Sequence, residues 1–421
     1  MMKKYIGQRL GSILVALWFF LLPFEYIPTV EFHGFTIKTS YLAGILILTW
    51  SVFDKKIITR KKFSTSDWLL LLFWLAGAVA TTLGIHEARN LIILALWGFM
   101  IMLYYCASRL IDYARIEKII LISAAVVSLL GILQFIGGSI GLDTAYIGLR
   151  PLYIKSILGF PRIHSVLLEP MYLANFLFIP FFLAIRKSFQ QPKTVNKYWW
   201  LAILILADII LTQSRGAYLS LLVAIILLVI HWLWRKYYSK IARLMFVGLA
   251  SIVLASGLIL INGPRALIDN FANHAVGQDI PSADSVNYRF DNYRSAYKMF
   301  IDKPLLGHGI ASFGTLTHRA NFTGYDIVLN EYLEILAETG AVGFIAFLGF
   351  LAALAYESRR AYRAGNESQR QTILYLGLGL LAVFIQYNFF STLYIIYIWA
   401  FLALLRSQVD NYSNVILKPK A

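Results

Sequence analysis

The sequence predicts an all-α polytopic membrane protein of about 12 transmembrane helices, with one long extracytoplasmic loop that contains short helices. Three observations carry that fold class. Of 421 residues, 59% are hydrophobic and only 14% charged, with a mean hydropathy of +0.67. Apolar runs of about 15–22 residues recur along almost the whole chain, close to the roughly 20 needed to cross a bilayer as helix. Lys and Arg, finally, are divided unevenly between the two sides of those runs.

Spans are expected at 10–30, 40–53, 68–84, 88–107, 117–137, 170–186, 198–213, 216–234, 241–262, 340–356, 371–387 and 389–406. The first apolar run follows Lys3, Lys4 and Arg9 without a small-residue cleavage site, so it is expected to be a retained helix and not a signal peptide. With alternate loops assigned to alternate sides, 26 of the 38 Lys and Arg fall with the two termini. That bias puts both termini in the cytoplasm of a bacterial inner membrane. It also accounts for the net charge of +16 as topology, which argues against nucleic acid as a partner and for the lipid bilayer. The single cysteine, Cys106, excludes a disulfide framework.

Three outer segments break the pattern of short connections: 24–39, 138–169 and 263–339. The longest is expected to hold two helices. One runs from about Ser285 to Asp302, capped by Asp284 or Ser285, with Val286, Phe290, Tyr293 and Tyr297 forming an apolar-aromatic face. The other, about Val328 to Thr339, carries Glu331, Glu334 and Glu338 opposite Leu329, Leu333 and Leu336. It is too short to cross the membrane, and its pattern suits the outer interface or a place over the bundle.

The cations on the Lys/Arg-poor side are the most informative charges. Arg215 sits between two apolar runs, where a charge costs a few kcal/mol and usually faces a partner or a cavity; the bland alternative is a side chain snorkelling to headgroups. Asp208, seven residues earlier, is placed on the same helical face as a partner or as a structural acid. Arg289 and Arg294 are interleaved with Tyr288, Tyr293 and Tyr297, a combination suited to sugar rings and phosphate oxygens, or else to an ordinary solvated helix. Arg162, His164 and Glu169 form a weaker cluster. The histidines at 33, 86, 164, 231, 274, 308 and 318 lack the close pairing of zinc ligands. No Asp-rich constellation or phosphate-cradling glycine loop stands out, so no metal and no cofactor is expected.

Four strings, in order, resemble the O-antigen ligase-related family, which includes O-antigen ligases and polysaccharide polymerases. They are Leu211-Thr212-Gln213-Ser214-Arg215-Gly216-Ala217; Arg289-Phe290-Asp291-Asn292-Tyr293-Arg294-Ser295-Ala296 leading into Pro304-Leu305-Leu306-Gly307-His308-Gly309; Asn330 through Gly340; and, more weakly, Arg162 through Ala174. The resemblance covers about 160–360, which implies an N-terminal bundle at 1–159 and a ligase-like membrane domain at 160–421 with its loop at 263–339. It further implies a glycosyltransferase that moves a glycan from undecaprenyl diphosphate to a saccharide acceptor hydroxyl, on the outer face of the membrane. Arg215, Arg289 and Arg294 would bind the donor diphosphate. Where the family often has a histidine, this chain has Leu329, which leaves the general base unassigned: Glu331 and Glu334 are the candidates, with glutamates that only solvate their helix as the alternative, and His308, His318, Tyr293 and Asn330 are in supporting positions.

A transporter or flippase of lipid-linked sugars is the alternative, with Arg215 and Asp208 as substrate or proton groups; a structural subunit of an assembly complex is a third. The topology has a direct check. Reporter fusions at Ala275 and Asn366 are expected on opposite sides of the membrane, and same-side signals would overturn the span assignment.

Overall fold

The structure, a computed structural model, describes residues 2–25, 29–32, 35–53, 63–85, 87–142, 161–190, 196–260, 281–317, 326–391 and 393–416. Among the described residues it is helical apart from one short hairpin. Eight helices are long and apolar enough to cross a membrane: α3 (Thr65–Leu83), α4 (Ala88–Leu110), α5 (Tyr113–Ser139), α6 (Pro170–Gln190), α8 (Arg215–Trp234), α9 (Tyr238–Leu260), α12 (Glu331–Ala364) and α13 (Glu367–Gln386). Shorter or less apolar are α1 (Met2–Leu21), α2 (Thr39–Phe53), α7 (Lys197–Leu211), α10 (Pro281–Asp302), α11 (Ser312–Leu316) and α14 (Ile396–Ile416). Each of the twelve expected spans overlaps a helix, but eight is the number that length and composition support.

Several boundaries differ from expectation for identifiable reasons. The first helix stops at Leu21, before Pro23, instead of running to residue 30. The chain beyond it pairs β1 (Thr29–Phe32) with β2 (Phe35–Lys38) antiparallel, where alternating Val, Phe and Ile favour strand. At the base of the hairpin Lys38 and Glu25 form a buried ion pair at 2.7 Å. Burial works against the Lys38 charge, but Glu25 and Tyr41 together outweigh it and raise the lysine above its ordinary pKa. The last span begins at Ile396 and not at 389. α10 starts at Pro281, a favoured first position, so Asp284 and Ser285 lie inside the helix and do not cap it.

The chain divides into two compact units that alternate in sequence. One holds 1–46, 111–280 and 367–386; the other holds 47–110, 281–366 and 387–421. In the first unit α6 is the central helix, with nearly every side chain from Tyr172 to Ile185 buried against α7, α13 and α5. Asn175 donates to Gln386 at 2.7 Å across the α6–α13 contact, and Glu117 accepts from Arg186 and from Lys187.

In the second unit α12 packs along α3, α14 along α4, and α10 lies against α12. At one end of this unit Arg406 of α14 is buried among Asp67, Glu357 and Asp410. Near the start of α12 the helix is interrupted at Gly340, whose φ of 64° and ψ of −171° are open to glycine alone. The break frees backbone groups, and the 304–309 turn takes them up. His308 N–H donates to Ala337 O at 3.2 Å and Gly309 N–H to Glu338 O at 2.9 Å. In return Ala341 N–H donates to Pro304 O at 2.8 Å and Val342 N–H to Leu305 O at 3.2 Å. A Cβ on Gly340 would meet Leu305 O at 2.3 Å, and one on Gly307 would meet Glu338 backbone at 2.4 Å.

Replacing Gly340 by Ala is expected to cost about 1–3 kcal/mol from the dihedral alone, with the backbone clash in addition. A drop in the thermal unfolding midpoint of the detergent-solubilised protein reads it. An unchanged midpoint would mean the turn does not interlock with the kink.

Candidate functional site

The site is built at the head of α12, in the second unit. Asn330 caps the helix, its side chain accepting Leu333 N–H at 3.1 Å. The first two turns then carry Glu331, Glu334 and Glu338 on one stripe. An acidic stripe is expected to face solvent. Here it faces inward, with Glu331 and Glu338 only 2% and 3% exposed, so these glutamates do not merely solvate their helix. The reason lies in three separate segments that meet the carboxylates with donors.

Glu338 accepts Ala311 N–H at 2.8 Å and Phe313 N–H at 3.2 Å, one on each oxygen, and so serves as the cap of the short helix α11. Glu331 accepts Leu393 N–H at 2.9 Å. Glu334 is half-buried. Its Oε2 accepts Val328 N–H at 3.2 Å and the Ser391 hydroxyl at 2.5 Å, while its Oε1 has no partner among the described residues. These side chains line a cavity of about 230 Å³ together with Arg89, Trp97, Asp326 and Tyr394 and with aliphatic surface from Ile93 and Ile310. Arg89, at the start of α4, is the only cation among the described residues of that lining, and its Nη1 donates to Ala311 O at 3.1 Å. Among the described residues no three His, Cys, Asp or Glu side chains are gathered so as to hold a metal ion.

α10 closes the arrangement. Its buried face is Asn292, Ala296 and Met299, packed with Phe313, Val328 and Ala337. The expected aromatic face is rotated from this, since Phe290 and Tyr297 are more than half exposed. Tyr288 donates to Asp326 Oδ1 at 2.7 Å, and Asn292 donates to Ile327 O at 2.9 Å. The Tyr293 hydroxyl lies 3.3 Å from the carbonyls of Leu329 and Asn388. Leu329 itself is held at φ 61°, a left-handed conformation that is strained for a non-glycine residue.

The 387–391 turn is fixed from several sides. Its carbonyls at Tyr387, Asn388 and Phe389 accept, in that order, Glu331 N–H at 2.8 Å, the Asn330 amide at 3.3 Å and Arg289 Nη1 at 3.0 Å. These bonds are why the last helix begins late: the backbone here is committed to tertiary partners.

The remaining expected residues fall elsewhere. Arg294 is solvent-exposed, with Asp291 4.0 Å away. His308 is buried against the end of α10, where its Nε2 is 3.0 Å from Met299 O and 3.3 Å from Asp302, and it does not line the cavity. His318 lies outside the described residues.

In the first unit, Arg215 opens α8 and is exposed. Asp208 is wholly buried in α7, with Ser128 as its polar neighbour. The chain breaks at Thr212–Ser214 between the two helices, so Asp208 and Arg215 do not share a helical face. Arg162 donates from Nε to Thr212 O at 2.9 Å, satisfying a carbonyl at the end of α7. His164 is buried against Gln134, with its Nε2 3.1 Å from the amide nitrogen. The Glu169 carbonyl accepts Tyr172 N–H and Leu173 N–H at the start of α6.

Sequence reasoning passed over Arg89, Trp97, Asp326, Ser391 and Tyr394. Arg89 had a usable signal, because it begins a span on the Lys/Arg-poor side as Arg215 does. The others come from distant segments and carry none.

Helical apart from one hairpin, and with eight helices among the described residues long and apolar enough to cross a membrane, the protein is of the polytopic membrane class. Residues 200–348 match the family model described as O-antigen ligase. The match supports an O-antigen ligase-related family and an O-antigen ligase/polymerase-type membrane enzyme of polysaccharide assembly. No curated protein matches the chain. The matched stretch contains Arg215, Arg289, Asp326 and the three glutamates. Arg89, Trp97, Ser391 and Tyr394 lie outside it.

Glu338 and Glu334 separate by experiment. Glu338→Gln replaces one acceptor of a backbone N–H by a donor and is expected to lower stability by about 1–3 kcal/mol, read by thermal unfolding. Product formation by the folded fraction should stay near wild type. A folded variant that has lost turnover would place Glu338 in the chemistry instead.

Proposed function

We propose that the protein is a glycosyltransferase of the outer face of the bacterial inner membrane, its termini cytoplasmic. It transfers a glycan from undecaprenyl diphosphate to the hydroxyl of a saccharide acceptor. The observation that carries the proposal is Glu334: a carboxylate with one oxygen fixed by Ser391 and Val328 and the other unpartnered, lining a cavity. That is the arrangement a general base needs, since the base must be oriented and still reach the proton it removes.

In the proposed step the acceptor hydroxyl enters the cavity and gives its proton to Glu334 as its oxygen attacks the anomeric carbon. The bond from that carbon to phosphate breaks, and lipid diphosphate leaves carrying the electron pair. Negative charge grows on the diphosphate, and fixed guanidinium donors stabilise it without reorganising. Arg289, steadied by the Phe389 carbonyl, is assigned to that task. Arg215 of the first unit is assigned to it as well, on the resemblance. Arg294, exposed and beside Asp291, is given no part. Tyr293 and Asn330 act through position, holding the 329–330 segment and the 388 carbonyl that frame the site. Glu331, its Oε2 taken by Leu393 N–H, ranks behind Glu334 as base.

Glu334→Gln is expected to slow transfer by about 10²–10⁴-fold, measured with purified protein, defined undecaprenyl-diphosphate glycan and candidate acceptors. Arg289→Ala and Arg215→Ala should each cost about 10²–10³-fold and leave lipid-linked glycan accumulating on the outer leaflet. Accumulation on the inner leaflet would favour a flippase, and unchanged products would remove these residues from the mechanism.

A further inference from the structure

The turn that joins α8 to α9 lies at the opposite end of α8 from Arg215 and takes no part in the cavity. It reads Leu233-Trp234-Arg235-Lys236-Tyr237-Tyr238-Ser239-Lys240-Ile241-Ala242-Arg243, and the chain has no Asp or Glu between Asp208 and Asp269 to neutralise its four cations. The backbone of the turn is fixed. Tyr237 N–H donates to Trp232 O at 2.8 Å and Lys236 N–H to Leu233 O at 3.0 Å. These are the paired bonds of a Schellman stop, where the residue in the place of Lys236 is left-handed and usually glycine. Lys236 sits there at φ 58°, a conformation that costs a residue with a Cβ and costs glycine nothing. Phe189 of α6 braces both sides of the turn. Its ring meets Trp232 edge-on at 5.3 Å, and the Lys240 ammonium lies 5.8 Å from its centroid and 4.1 Å from that of Tyr237.

What this braced turn presents is charge flanked by aromatic surface. Arg235 and Lys236 are exposed, as are Trp234 at 84% and Tyr238 at 62%. Among the described residues none of the four cations forms an ion pair, whereas Arg186 and Lys187 of α6 share Glu117. Glu367 of α13 acts on Lys240 only through space. Both helices that lead to the turn carry apolar side chains outward, Leu222, Leu227 and Leu233 on α8 and Phe246, Leu249 and Val253 on α9, so the turn belongs in the headgroup layer of a bilayer. A chain that needed only to end α8 would gain by placing glycine at 236; a lysine held there against the backbone preference points to a use for its charge. Soluble polyanions match the surface poorly, because exposed Trp and Tyr settle at headgroup level. We infer that the α8–α9 turn binds an anionic phospholipid, the lipid phosphate taken by the cations of the turn and the glycerol region by Trp234 and Tyr238. The inference does not depend on the transfer reaction.

The test uses the full chain in a neutral detergent, titrated with phosphatidylglycerol or phosphatidylcholine and read by native mass spectrometry. Phosphatidylglycerol should bind about tenfold or more tightly than phosphatidylcholine. Arg235→Gln and Arg243→Gln should each weaken it about fivefold, the worth of one cation at the membrane surface. Arg359→Gln, which removes an exposed cation of α12 in the other unit, should leave it within about twofold, because charges that far apart are screened. Lys236→Gly separates the two properties of its position. It should weaken phosphatidylglycerol about fivefold, while the thermal unfolding midpoint of the lipid-free protein stays the same or rises. The two arginine variants leave the left-handed position alone and cover the case in which Lys236→Gly fails to fold.

Equal binding of the two lipids would overturn the inference, since no selection for the anion would be left. A loss in Arg359→Gln as large as those at the turn would do so too, because the charge would then belong to the whole face and not to a site. Displacement of the lipid by millimolar inorganic phosphate would make the ligand a free anion. A lowered midpoint for Lys236→Gly with lipid binding undiminished would make that lysine structural and remove the reason for assigning its charge a use.

Discussion

Everything at the site depends on the interruption of α12 at Gly340. In a bilayer no backbone N–H or carbonyl can be left without a partner, so a helix is broken at membrane depth only where protein replaces the lost bonds. The 304–309 turn does this with four backbone hydrogen bonds, and glycines at 307 and 340 allow the two backbones to touch. The break sets the first nine residues of the helix apart from the long apolar stretch behind them. An acidic stripe that would be intolerable inside an uninterrupted span is thereby held in a pocket of polar donors.

Those donors divide the labour among three neighbouring glutamates. Glu338 is saturated by two backbone N–H groups and acts as scaffold. Glu331 is tied at both ends, by its own N–H to Tyr387 and by its side chain to Leu393. Glu334 keeps an oxygen free. The distinction comes from hydrogen-bond partners and not from residue type, which is why three identical side chains can differ in what they do.

The helical bundle was legible in the sequence because hydropathy period and length are local properties, and every apolar run found a helix. Boundaries failed where a tertiary bond decided them. The last helix starts late because the carbonyls at 387–389 are claimed by Arg289, Asn330 and Glu331. The aromatic face of α10 was misplaced because Asn292 and the small Ala296, not the larger rings, make the close approach to the 326–328 segment. Of the site, Glu331, Glu334 and Arg289 could be found from their strings. Asp326, Trp97 and Ser391 could not, since each matters only through neighbours that are far away in sequence.

One feature of the 387–391 turn reaches beyond its geometry. It receives Arg289 through a carbonyl and supports Glu334 through the Ser391 hydroxyl, so a single short turn is common property of a cation and an acid. A substitution that displaces the turn therefore disturbs the Arg289 contact and the Glu334 contact at once.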